Sequence, residues 1–130
     1  MDQLGPGNDC SFVEVMNVVG GKWRGTIIYC LGMGPRRFNE LRREVTPITQ
    51  KMLTQELRAL ERDGLVSRVH HAEIPPRVVY SLTELGLSLV SVFSLIKEWM
   101  PNMDAVAEAR VGYDERQESD TRGESSDEST

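Results

Sequence analysis

The sequence predicts a mainly α fold with one small β-hairpin, arranged as a dimeric winged helix-turn-helix. Three observations carry this. Two amphipathic helical patterns between Phe38 and Val66 are separated by a break at Pro47-Ile48. The second pattern closes on Gly64, and two short β-branched runs follow on either side of Pro75-Pro76. That order of elements places one helix in a DNA groove.

Ser11-Phe12-Val13-Glu14 matches a capping box, so a first helix is expected from Ser11 to about Val19. Gly20-Gly21 ends it, and Lys22 opens a second helix with apolar positions Trp23, Ile27, Cys30 and Leu31. Gly32, Gly34 and Pro35 stop that helix. Phe38, Leu41 and Val45 mark the buried face of a short third helix. Pro47 biases Thr46 away from helical geometry. Thr49 is a good N-cap for a fourth helix, Ile48 and Leu53 are spaced as a hydrophobic staple, and Gly64 suits the left-handed closing position.

Val66–His71 and Val78–Leu82 then read as a hairpin, with residues 72–77 as its proline-stiffened tip. Thr83 caps a last helix in which Leu85, Leu89, Val92, Ile96 and Trp99 recur at helical spacing, and Val90 and Phe93 widen the face. So small a domain cannot cover that much apolar surface, which points to a second subunit.

The formal net charge of -5 argues against a DNA partner until it is divided along the chain. Residues 104–130 hold nine acids and three arginines, a balance of -6, which leaves +1 for residues 1–103. Residues 20–82 carry eleven Lys/Arg against six Asp/Glu, so the presumed binding region is basic. Residues 1–9 read as a flexible N-terminal arm, 10–103 as the winged helix-turn-helix with its terminal dimerisation helices, and 104–130 as an acidic tail. From Asp114 the tail lacks large apolar residues and is expected to be disordered, either as an inert solubilising segment or as a competitor for the basic face. No apolar stretch approaches the roughly 20 residues needed to span a bilayer, and the N-terminus does not resemble a signal peptide. A soluble, cytoplasmic protein without membrane contact is expected.

The fourth helix carries the informative surface. At 100° steps from Lys51, the residues Thr54, Gln55, Arg58 and Arg62 fall between roughly 300° and 40°, whereas Leu53, Leu57 and Leu60 fall between roughly 180° and 240°. Glu56 and Asp63 lie off the basic stripe, at roughly 140° and 120°. Paired bonds from Gln to adenine, Lys or Arg bonds to guanine, and a Thr methyl against thymine are the chemistry of base reading. Gln50, Lys51, Thr54 and Gln55 are therefore the expected base readers, the cap Thr49 is a further expected DNA contact, and Arg58 and Arg62 are the expected phosphate contacts. Arg36 and Arg37 before the third helix are further phosphate candidates, and Arg77 on the hairpin tip is a candidate for a minor groove.

Taken together, these residues resemble the HxlR-type family of bacterial winged-helix regulators. The resemblance rests on Cys10, Gly20-Gly21-Lys22-Trp23, Gly34-Pro35-Arg36-Arg37-Phe38-Asn39-Glu40-Leu41-Arg42, Ile48-Thr49-Gln50-Lys51-Met52-Leu53-Thr54-Gln55-Glu56-Leu57-Arg58, Leu60-Glu61-Arg62-Asp63-Gly64-Leu65-Val66, Pro75-Pro76-Arg77-Val78-Val79-Tyr80-Ser81-Leu82-Thr83 and Leu85-Gly86. It implies a homodimeric transcription factor on a pseudo-palindromic operator, related to the MarR-type regulators. It also implies that the first and last helices form the dimer interface, here through Phe12, Val13, Met16, Leu89, Val92, Phe93, Ile96 and Trp99.

Cys10 precedes the expected cap Ser11, where free amides and the helix dipole favour a thiolate. Some members of the family resemble this chain in having a cysteine there and use it to sense oxidants, quinones or aldehydes, so Cys10 is the candidate redox sensor. No cysteine follows Cys30, so the alternatives are a disulfide between two Cys10 residues, one from Cys10 to Cys30, or a single-thiol adduct. Cys30 reads as a packed small hydrophobe. His70 and His71 alternate on a strand and cannot chelate one metal. No phosphate loop, nucleophile triad or metal-ligand spacing occurs, so neither enzymatic activity nor a cofactor is expected. A protein-docking module is the rival class, and a small-molecule effector between dimer halves stays open.

Overall fold

The computed structural model describes residues 9–128, with side chains described for residues 11–123. In chain order the elements are α1 (Asp9–Val19), α2 (Arg24–Gly32), α3 (Phe38–Glu44), α4 (Gln50–Arg62), β1 (Val66–His71), β2 (Arg77–Leu82), α5 (Glu84–Ser88), α6 (Val90–Trp99), a short 3-10 turn (Met100–Asn102) and α7 (Met103–Glu128). The chain divides into two units, one ending at Ser94 and one beginning at Leu95.

In the first unit, Ile27, Ile28 and Leu31 of α2 meet Leu41 and Val45 of α3, Ile48 of the turn, and Leu53, Leu57 and Leu60 of α4. Leu65, Val66 and Phe93 close the core. Burying one leucine contributes about 1.5–3 kcal/mol, so the three leucines of α4 determine which of its faces turns inward. The helix starts where the Thr49 hydroxyl accepts from the Met52 amide at 3.1 Å, and ends before Gly64 at φ 77°.

Strands β1 and β2 pair antiparallel from Val66 with Leu82 to His71 with Arg77. A third strand segment, which the sequence did not suggest, is a single residue long: Arg36 and Tyr80 exchange backbone hydrogen bonds of 2.9 and 2.8 Å. It ties the root of the wing to the entry of α3. Just past the C-terminal end of β2 the Thr83 hydroxyl donates to the Gly64 carbonyl at 2.6 Å and accepts from the Gly86 amide at 3.1 Å, while the Thr83 amide donates to the Leu65 carbonyl. Gly86 is buried there, and only glycine fits, because a Cβ would overlap the Leu65 carbonyl oxygen.

Several boundaries differ from expectation. Helix α1 begins at Asp9 rather than Ser11, a difference of two residues. The single last helix is instead α5 and α6, broken at Leu89. The Ser88 hydroxyl donates back to the Leu85 carbonyl at 2.5 Å, a bond that competes with the helical ladder. Phe93, expected at a dimer interface, is buried on Gly25 of α2 within the protomer core.

In the second unit, residues 114–128, expected to be disordered, continue α7. Ala105, Ala107, Glu108, Ala109, Arg110, Glu115, Arg116, Gln117 and Glu118 are strong helix formers, which favours the helix as far as Glu118 without a core to support it. Among the described residues, no helix is long and apolar enough to cross a membrane.

Candidate nucleic-acid interface

The exposed side of α4 presents Gln50, Lys51, Gln55, Arg58 and Arg62, with Thr54 half-buried between them. Lys51, Arg58 and Arg62 make no ion pair among the described residues, so their charge is free for a partner. The Thr54 hydroxyl donates to the Gln50 carbonyl at 2.8 Å, which leaves its methyl as the group available to a base. Thr49 spends its hydroxyl on the cap.

The acids of α4 are held to one side. Arg24, at the start of α2, donates from Nε to Glu56 Oε2 at 2.9 Å, and its Nη1 lies 3.8 Å from Asp63 Oδ2. The same Nη1 donates to the carbonyls of Val18 at 2.7 Å and Asn17 at 3.2 Å. Sequence reading missed Arg24. The available signal was Glu56 and Asp63 together on the flank of a basic helix, a pair of acids that calls for a cation from another element.

Arg36, expected on phosphates, is engaged within the protomer. Its Nε donates to both Glu44 oxygens at 2.9 and 3.1 Å, and its Nη1 to the carbonyls of Gly34 and Pro35. With a side chain 19% exposed, it is part of the fold. Arg37 behaves differently. Its backbone amide donates to the Glu40 carboxylate at 3.1 Å and its carbonyl accepts from the Leu41 amide at 3.1 Å, while its side chain, which has no acceptor with which to complete a capping box, makes no ion pair among the described residues. Arg42 and Arg43 are exposed, without an ion pair among the described residues, and with Asn39, Thr46, Pro47 and Ile48 they line an open cavity of about 450 Å³.

At the wing, the Arg77 guanidinium reaches back to Glu73 at 3.2 Å, and its Nε is buried without a partner. Of the apolar residues expected at a dimer interface, Phe12, Val13, Met16, Val92, Ile96 and Trp99 are exposed, whereas Leu89 packs against the core. Burial pushes the Cys30 thiol above its ordinary value of 9.0, and the neighbouring Glu44 adds to the shift. The side chain of Cys10 lies outside the described residues. No group of three or more metal-ligating side chains occurs among the described residues.

Comparison with known proteins agrees with this geometry. A family model for HxlR-like helix-turn-helix proteins matches residues 18–107. The uncharacterised HTH-type transcriptional regulator YkvN of Bacillus subtilis (strain 168) is 49% identical over 90 residues, which cover 69% of this chain and 76% of that protein. YtfH of Escherichia coli (strain K12), another HTH-type regulator, is 36% identical over 117 residues, or 84% of this chain and 93% of its own length. Among solved structures, the redox regulator HypR in its reduced form superposes with a TM-score of 0.71 at 43% identity, covering 75% of this chain and 98% of that one. Diamide-treated YodB from B. subtilis superposes at 0.61 with 35% identity, covering 76% and 94%. These relatives are transcriptional regulators rather than enzymes. The family model spans most of the chain and the relatives are HTH-type regulators: the chain belongs to the HxlR-like helix-turn-helix family and is a DNA-binding transcriptional regulator.

Proposed function

We propose that the protein binds a pseudo-palindromic operator as a homodimer, with α4 of each subunit in a major groove. The observation that carries this reading is the face of α4, where Gln50, Lys51, Gln55, Arg58 and Arg62 are exposed and the cations are unpaired, opposite a leucine core. Gln50, Lys51, Thr54 and Gln55 read bases; Arg58 and Arg62, with Arg37, Arg42 and Arg43, contact phosphates. Arg77 exchanges its exposed Glu73 partner for the DNA minor groove, since such a pair is worth only about 0–1 kcal/mol.

The test is affinity for operator and random duplexes, selected and measured with the full chain across a salt series. Lys51→Ala or Gln55→Ala should weaken operator binding by about 1–3 kcal/mol while changing random-duplex binding much less. An unchanged ratio between the two would take α4 out of base reading, and an affinity insensitive to salt would favour protein docking instead.

HypR is a redox regulator, and YodB was crystallised after diamide treatment. On that similarity, together with Cys10 at the start of α1, we assign to Cys10 the sensing of oxidants or electrophiles, with release from DNA as its consequence.

A further inference from the structure

We propose that Arg24 is a positioning residue for operator reading: it sets the roll of α4 about its own axis and fastens that roll to the end of α1. The inference rests on α4 being the reading helix.

Four groups converge on one guanidinium. Glu56 and Asp63 belong to α4, the former within the helix and the latter at its C-cap, and both flank the reading face. The Asn17 and Val18 carbonyls belong to the last turn of α1, where carbonyl groups have no helical partner. Arg24 therefore supplies the missing donor to α1 and the counter-charge to α4 with a single side chain, 15% exposed. A cation beside the C-terminal ends of both helices also suits their dipoles, and it offsets the unfavourable placement of Asp63 at such an end.

The leucines of α4 choose its inward face, but apolar contact is non-directional and leaves the last degrees of roll open. Charge-assisted bonds fix direction as well as distance. On a helix of about 10–12 Å diameter, a roll of about 10° carries a side-chain tip by about 1 Å. That is enough to move a hydrogen bond out of its usual range of about 2.7–3.2 Å. Loss of Arg24 should therefore be felt at Gln50, Lys51 and Gln55, although Arg24 lies on another helix and faces away from the reading stripe.

Simple electrostatics predicts something different. Removing a cation, and leaving two acids uncompensated, weakens all DNA binding alike. The experiment separates the two effects with a duplex that the full-length protein enriches from a random-sequence library, and a scrambled duplex of equal length. For Arg24→Met, operator affinity should fall about tenfold, roughly the loss of one base contact, beyond any change in scrambled-duplex affinity. Arg24→Lys, which restores the charge without the fork, should recover the scrambled-duplex affinity and only part of the operator affinity. An equal fall on both duplexes, or no fall, overturns the proposal. If Arg24→Met does not fold, Glu56→Gln takes its place: it should lower the operator-to-scrambled ratio about threefold, and an unchanged ratio overturns the proposal. Failure of the wild-type protein to enrich any sequence would instead remove the reading role of α4, and the role of Arg24 with it.

Discussion

Cys30 and Cys10 show how strongly local surroundings decide what a side chain does. Cys30 is 7% exposed, and burial raises its pKa from 9.0, so at neutral pH it is a thiol without access to reagents. Because the folded value lies above the unfolded one, its contribution to stability is present below the unfolded pKa and is lost as the pH rises through the folded value. It is therefore a poor partner for a disulfide with Cys10, which favours the alternatives of a Cys10 to Cys10 bond or a single-thiol adduct. Cys10→Ser should accordingly abolish oxidant-triggered release from operator DNA in a gel-shift titration, and the remaining thiol should react with an aromatic disulfide only at the rate of unfolding. Release that persists in the variant would end the sensor assignment.

At the scale of elements, the wing is held at its root and exposed at its tip. The Arg36–Tyr80 bridge and the Thr83 contacts hold the C-terminal half of β2 at the root, whereas Ile74 at the tip is fully exposed. Arg77→Ala should reduce the salt slope of DNA binding by about one ion. A slope that does not change in a fluorescence-anisotropy salt series would keep the wing off the backbone. Helix α4 was legible in the sequence almost to the residue, because its cap, its leucine spacing and its closing glycine are all local signals. The Arg36 bridge was not, since pairing of one residue leaves no periodicity. Arg36 and Arg37 look alike in sequence, and only the distance to Glu44 separates a fold residue from a free cation. The break at Leu89 was hidden for a related reason: the apolar spacing of Leu85 to Trp99 runs through it unchanged.

For the whole molecule, the exposed apolar residues of α1 point to a covering partner. Phe12, Val13, Val15 and Met16 are each about half exposed or more on an eleven-residue helix. Such a strip is normal on a subunit and unusual on a monomer. Phe12→Glu should weaken dimerisation by at least about 2 kcal/mol, as for a central contact, and analytical ultracentrifugation would register it as a shift toward monomer. A sedimentation profile identical to that of the wild type would remove α1 from the interface. Helix α7 shows the limit of composition as a guide, because acidity and the absence of large apolar residues argue against a core and say little about helical geometry.

Thr83 has a consequence beyond the contacts it makes. Its hydroxyl and amide hold the exit of α4, the base of the hairpin and the first turn of α5 at one point. Opening any of the three would break bonds that belong to the others, so they form a single cooperative unit in local unfolding. Opening of the wing root should therefore be coupled to opening at the end of the reading helix, which amide hydrogen exchange would register as matched protection of the Leu65 and Thr83 segments.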